Sequence, residues 1–371
     1  MGQKAGLVLA LVLGVVLHGC GGTQRDTPPI SIGSPYFLFV SNSTAGTISG
    51  FAFNPDGSLQ PVPGSPFASQ GADPSALADI GGGLLFYVAN RGSASISGYN
   101  FGRFTGVVTP VVGSPFGAPV GVKSLVWMPG RLYAAAESGF VAGYTTQSSG
   151  ALTPLPGSPW PAGVRPEAIT IAFGRFLYVA NGGSNNISAY AIDSATGALT
   201  PLAGSPFSAG TSPVTIRADS GGTFLYVANA GSNDITGFAI NTTSGVLIPV
   251  PGSPFLAGQG PGSMTMQDQF FYVTNSGSND ITVFSPNSAT GALTRVSTIA
   301  TGAGTQPVAI RAGPWRSVAP AGPMVYVANA QSANISAFVL DRNTGALTAI
   351  PSSPFSTGAG PKGMITATGP Q

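Results

Sequence analysis

From Pro35 onward the chain alternates apolar and polar positions in short runs, as in Asn186-Ile-Ser-Ala-Tyr-Ala-Ile192, and Gly, Pro, Asn or Ser clusters close each run. A period of two bounded by turn residues predicts β-strands, and the recurrence of Gly and Pro every few residues rules out helical repeats. The runs are themselves repeated. A Tyr-Val-Ala-Asn strand end appears as Phe39-Val-Ser-Asn42, Tyr87-Val-Ala-Asn90, Tyr178-Val-Ala-Asn181, Tyr226-Val-Ala-Asn229, Tyr272-Val-Thr-Asn275 and Tyr326-Val-Ala-Asn329, with a degenerate copy at Tyr133-Ala-Ala-Ala136. Successive anchors lie 48, 46, 45, 48, 46 and 54 residues apart, a period suited to a four-stranded propeller blade. Residues 165–203 predict one such blade. Its first strand follows Pro166, and its later strands run over 175–181, 186–192 and 198–203, joined by Gly182-Gly-Ser-Asn185 and Asp193-Ser-Ala-Thr-Gly197 turns. Six Ser-Pro-aromatic elements, the first at Gly64-Ser-Pro-Phe67, predict one ring packed between adjacent blades. Residue 36 enters at a second strand, whereas Pro361-Lys-Gly-Met-Ile-Thr-Ala367 matches only a first strand, so the C-terminus is expected to complete the N-terminal blade. The pattern thus predicts an all-β, seven-bladed β-propeller of four-stranded antiparallel blades, closed by its C-terminal strand, over residues 35–371.

Composition narrows the function. Only 7% of residues are charged, Gly and Pro number 54 and 33, and the net charge is +2. No basic stripe capable of neutralising several phosphates is present, which excludes a nucleic-acid partner. The first residues carry a different message. Lys4 precedes an apolar run from Ala5 to Leu17, too short to span a bilayer and suited to a signal-peptide core over residues 1–19. Leu17-His18-Gly19-Cys20 then resembles the lipobox of bacterial lipoproteins, with His18 where a small or hydroxyl residue is usual. The resemblance implies a lipidated Cys20, a flexible tether over 20–34, and a cell-envelope address, periplasmic or at the outer membrane or cell surface. The membrane would then be a partner through the anchor.

The Tyr-Val-Ala-Asn ends, Asp-x-x-Thr-Gly-Ala-Leu turns and Pro-x-x-Ile strands look like the lactonase-type seven-bladed propellers, which include 6-phosphogluconolactonase relatives. That resemblance spans residues 35–368 and implies a lactone hydrolase. The enzyme branch typically carries Gly-Pro-Arg-His at a first-strand start and Asn-Glu at a second-strand end. Here the starts read Arg165-Pro166-Glu167-Ala168, Gly260-Pro261-Gly262-Ser263 and Gly360-Pro361-Lys362-Gly363, and only Glu137 matches the Asn-Glu position. The chain's one histidine is His18, in the leader. A base would therefore have to be a carboxylate, Glu137 or Glu167.

Strand direction places first-strand starts and second-strand ends on one face, near the channel. Asp73, Arg91, Lys123, Arg165 and Lys362 fall there beside Glu137 and Glu167, and form the candidate ligand-binding set. Two functions stay open: a binding or scaffold module whose rim takes a glycan, peptide or small molecule, and a lactone hydrolase. No cofactor is expected. Calcium enters only through metal-dependent relatives, and Asp341-Arg-Asn-Thr-Gly345 reads as an Asx turn, not a metal loop.

Overall fold

The computed structural model describes residues 36–80, 84–302, 304–316 and 322–368. The leader, Cys20 and the tether lie outside the described residues. Among them the only helical element is a 3-10 turn at Arg91–Ser93, and none is long and apolar enough to cross a membrane.

Seven antiparallel sheets form the propeller, and in all but the first the inner four strands follow one another in chain order. The fourth blade runs Pro166–Ala172, Phe176–Asn181, Asn186–Ile192 and Leu199–Pro201, as its alternation and turns predict. The innermost strands touch one another in a closed ring. In the first blade that inner strand is the C-terminal one, Pro361–Thr368, which pairs with Tyr36–Asn42 from Tyr36↔Thr368 to Asn42↔Pro361. Closure leaves no inner edge of the array unpaired.

Six blades depart from the four-stranded expectation by adding a short fifth strand, which pairs with the third strand beyond the fourth. It is the Ser-Pro-aromatic element, for example Phe207–Ser208 against Asn186 and Ile187. Proline has no N–H to give the ladder, and the serine beside it supplies an acceptor instead. The backbone N–H of Ala189 donates to Ser205 Oγ at 2.9 Å, and the same bond joins Gly50 to Ser65 and Gly237 to Ser253. In the sixth blade, whose outer segment contains no Ser-Pro, one continuous strand, Leu293–Ala300, occupies the edge.

The core lies between blades. Each apolar cluster joins residues of neighbouring sheets, and the Ser-Pro aromatics pack against it, Phe255 touching the cluster that holds Tyr226 and Phe271. The repeat's signature side chains hold this arrangement together. The Tyr87 hydroxyl donates to the Gly150 carbonyl of the next blade at 2.9 Å, and Tyr133, Tyr178, Tyr226, Tyr272 and Tyr326 do the same to Gly197, Gly245, Gly291, Gly345 and Gly57. Phe39, the seventh copy, has no hydroxyl and stacks on Phe86 instead. The anchor asparagine clamps its own hairpin: Asn181 Nδ2 donates to Asn186 Oδ1 and Ser188 Oγ. A Cβ at Gly163 would fall 2.6 Å from that carboxamide, which is why glycine stands there.

Candidate functional site

The residue before each inner strand has a left-handed backbone, and in the first, third and sixth blades it is Gly360, Gly121 and Gly260. In the others Asp73, Arg165, Ser212 and Gln306 adopt φ of 51–53°, a conformation costly for residues with a Cβ. Its carbonyl accepts the N–H that follows the anchor, Asp73 from Arg91 and Gly121 from Glu137. Immediately afterwards the ladder skips. In the fourth blade Pro166 pairs with Asn181 and Ala168 with Ala180, which leaves Glu167 in a bulge. Lys123, Lys362, Ser75, Val214 and Val308 occupy the same bulge, and the sixth blade opens around Gly262. A bulge re-aims its extra side chain, and these line the central cavity.

All seven candidate residues meet in one alternating chain of charge at this rim. Lys362 Nζ lies 2.9 Å from Asp73 Oδ1, and Asp73 Oδ2 lies 2.6 Å from Arg91 Nε. Arg91 Nη1 continues to Glu137 Oε1 at 3.4 Å, which Lys123 Nζ approaches to 3.1 Å. Lys123 also pairs with Glu167 Oε2, and Glu167 Oε1 receives Arg165 Nε at 3.0 Å. Four cations and three carboxylates therefore alternate across the first four blades, with one positive charge in excess.

Desolvation works to raise the Asp73 carboxyl, yet its bonds to Lys362 and Arg91 outweigh it and hold the group below its ordinary value. Glu137 is likewise lowered, desolvation being outweighed by Lys123 and Arg91. Asp73 in turn raises Arg91. Carboxylates so engaged hold cations in place and are weak bases. They also make a poor calcium site, because every one of these carboxylates already faces an ammonium or guanidinium. Among the described residues no group of three or more metal-ligating side chains is gathered.

Two channel residues escaped the sequence reading. Arg217 and Arg311 lie at the fourth position after the inner-strand proline of the fifth and seventh blades, opposite Tyr226 and Tyr326. Both line the same cavity of about 580 Å³, which all seven inner strands enclose. Burial lowers the Arg217 guanidinium. It pushes Arg311 down to about 10, and the neighbouring Arg217 charge adds to this. The available signal was a charge in a strand otherwise apolar or hydroxylic, repeated as Pro213-Val-Thr-Ile-Arg217 and Pro307-Val-Ala-Ile-Arg311.

A family model described as "Lactonase, 7-bladed beta-propeller" matches residues 141–265 and 255–360, together more than half of the chain. Arg165, Glu167, Arg217 and Arg311 fall within the match, whereas Asp73, Arg91, Lys123, Glu137 and Lys362 fall outside it. No curated protein matches. Solved structures do. The periplasmic gluconolactonase of Pseudomonas aeruginosa is 18% identical with a TM-score of 0.76, the similarity covering 90% of this chain and 99% of that one. A Bacteroides fragilis protein provisionally named 6-phosphogluconolactonase is 20% identical with a TM-score of 0.74, over 92% and 100% of the two chains. A Lactobacillus plantarum protein is 17% identical with a TM-score of 0.73, over 90% and 99%. At these identities the likeness is one of fold.

Proposed function

Since this chain belongs to the lactonase family of seven-bladed β-propellers, we propose that it is an exported, membrane-tethered member that binds a small, polar, anionic molecule at the charged mouth of its channel. The observation that carries the reading is the ion-pair chain itself. Glu137 and Glu167 each hold two cations, so the site presents positioned donors with a positive excess and no free base. A cavity of about 580 Å³ behind the rim suits a small molecule better than a glycan chain or a peptide. Arg91, Lys123, Arg165 and Lys362 would orient the ligand, while Asp73, Glu137 and Glu167 fix their side chains.

Calorimetric titration with D-gluconate, a polyhydroxylated carboxylate, tests this. Saturable one-to-one binding is expected, about tenfold weaker in Lys123→Met and weaker still as salt rises. Absence of binding at low salt sinks the reading.

Lactone hydrolysis is the second reading, supported by the family itself. It would use Glu137 or Glu167 as base and the same cations to orient the substrate, and it requires lactone turnover that is lost in Glu137→Gln or Glu167→Gln. Export is supported by the Ala5–Leu17 run and Cys20, and the fold neighbour named as periplasmic is in keeping with it. Expression of the full chain should place it in the membrane fraction, and Cys20→Ala should release it; equal partition of both proteins argues against the anchor.

A further inference from the structure

Charge in the channel divides unevenly. On the rim every cation faces a carboxylate, in an arc that runs from Lys362 to Arg165 with one positive charge in excess. Across the channel the equivalent bulges carry Val214, Gly262 and Val308, none of them charged. Beneath that uncharged half stand Arg217 and Arg311, three residues further along their strands, about 10 Å deeper at the usual strand rise. The two come from blades that flank the sixth, and both face the common cavity.

Neither guanidinium has a carboxylate. Among the described residues Arg217 makes no hydrogen bond or ion pair, and Arg311 gives one N–H to the carbonyl of Ile310 at 3.1 Å. Both side chains are half-buried, so their remaining donors open on channel solvent. Two like charges brought together without a counter-charge repel, and the low dielectric of the channel wall strengthens that cost. The same arrangement becomes favourable once an anion enters, because a guanidinium fork matches the oxygens of a carboxylate or phosphate group.

We propose that Arg217 and Arg311 form an oxyanion subsite deep in the channel, which takes the carboxylate or phosphate-monoester group of a small hydroxylated ligand. The hydroxyls of Ser263 and Thr215, and the uncharged mouth above them, accommodate the ligand's polar body. The identity of that body rests on the small-molecule reading given above, whereas the anion subsite itself does not. Lowered guanidinium proton affinity agrees with the arrangement, since an entering anion would restore it.

The full chain is titrated calorimetrically with inorganic phosphate, D-gluconate, glucose 6-phosphate and neutral sorbitol, at low salt. Phosphate and at least one of the two hydroxylated anions should bind and sorbitol should not; the preference between gluconate and glucose 6-phosphate identifies carboxylate or phosphate monoester as the group held. Affinity for the bound anions should fall about tenfold or more in both Arg217→Met and Arg311→Met. Arg217→Lys and Arg311→Lys keep the charge but lose the fork, and should give an intermediate loss with an unchanged melting temperature. They serve where a Met variant does not fold. Gluconate binding that both arginine pairs of variants leave unchanged, but Lys123→Met weakens, overturns the subsite and leaves the rim reading standing. Phosphate binding that needs both arginines, without any binding of gluconate or glucose 6-phosphate, upholds the subsite and removes the small-molecule reading. No binding of phosphate, gluconate or glucose 6-phosphate to the unaltered chain overturns both.

Discussion

At the residue scale, the conspicuous side chains of the repeat have structural work. The Tyr178 hydroxyl is buried and bonded only to the Gly245 carbonyl. Tyr178→Phe should therefore cost about 1 kcal/mol, readable as a lower urea midpoint, because the carbonyl loses its partner. Burial pushes the Tyr87, Tyr133 and Tyr144 hydroxyls up to about 12, from 10.0. The folded state then holds protons that an unfolded chain releases, so this stabilisation is complete below pH 10 and declines as pH rises toward 12. Thermal midpoints at pH 8 and pH 11 should show the loss, and equal midpoints would contradict it. The rim carboxylates act in the opposite direction. Asp73 and Glu137 are lowered from 3.8 and 4.5, so their contribution is present above pH 4.5 and disappears as pH falls below it. The pair Asp73→Asn and Glu137→Gln should flatten the acid limb of a stability–pH curve. These charges were legible in the sequence because strand direction alone assigns them one face. Their pairing was not, since it depends on bulges that turn Lys123, Glu167 and Lys362 inward. Arg217 and Arg311 escaped because they sit within a strand, where a charge gives no sign of which wall it faces.

At the scale of the element, the inner strand is the unit that builds the site. The left-handed residue that precedes it and its bulge recur in every blade, including those with no charge to present. This geometry therefore belongs to the blade, and the rim chemistry was fitted onto it. Ser212, at φ 51°, separates the two. Ser212→Gly should leave stability nearly unchanged, the relief of strain offsetting added chain entropy. Ser212→Val should cost about 1–2 kcal/mol, since a β-branched residue is poorly tolerated there. Similar denaturation midpoints for both variants would remove strain from the account. Strand positions followed directly from alternation and turn residues. The fifth strand did not, because Ser-Pro marks a turn in any local reading, and only two residues after it pair with the third strand, helped by a serine hydroxyl that accepts from that strand.

At the scale of the whole propeller, seven similar blades give a symmetrical scaffold on which charge is distributed asymmetrically. The first four carry an arc of paired charges with one cation in excess, while the fifth and seventh carry two deeper cations that have no ion pair among the described residues. Closure ties these halves together, since the strand that completes the ring also delivers Lys362 to Asp73. Deleting residues 361–371 removes both, and should yield a protease-sensitive or aggregating product. Unchanged melting of the truncated chain would show that the ring does not depend on that strand. Closure was legible because the C-terminal segment matched a first strand and nothing else. Under the proposed function Glu137 and Glu167 hold cations for binding and do not serve as bases. The most direct test is the hydrolysis of D-glucono-δ-lactone at pH 7 with the unaltered chain, Glu137→Gln and Glu167→Gln. The spontaneous rate is expected in all three, whereas protein-dependent turnover abolished by either substitution would make that glutamate a base.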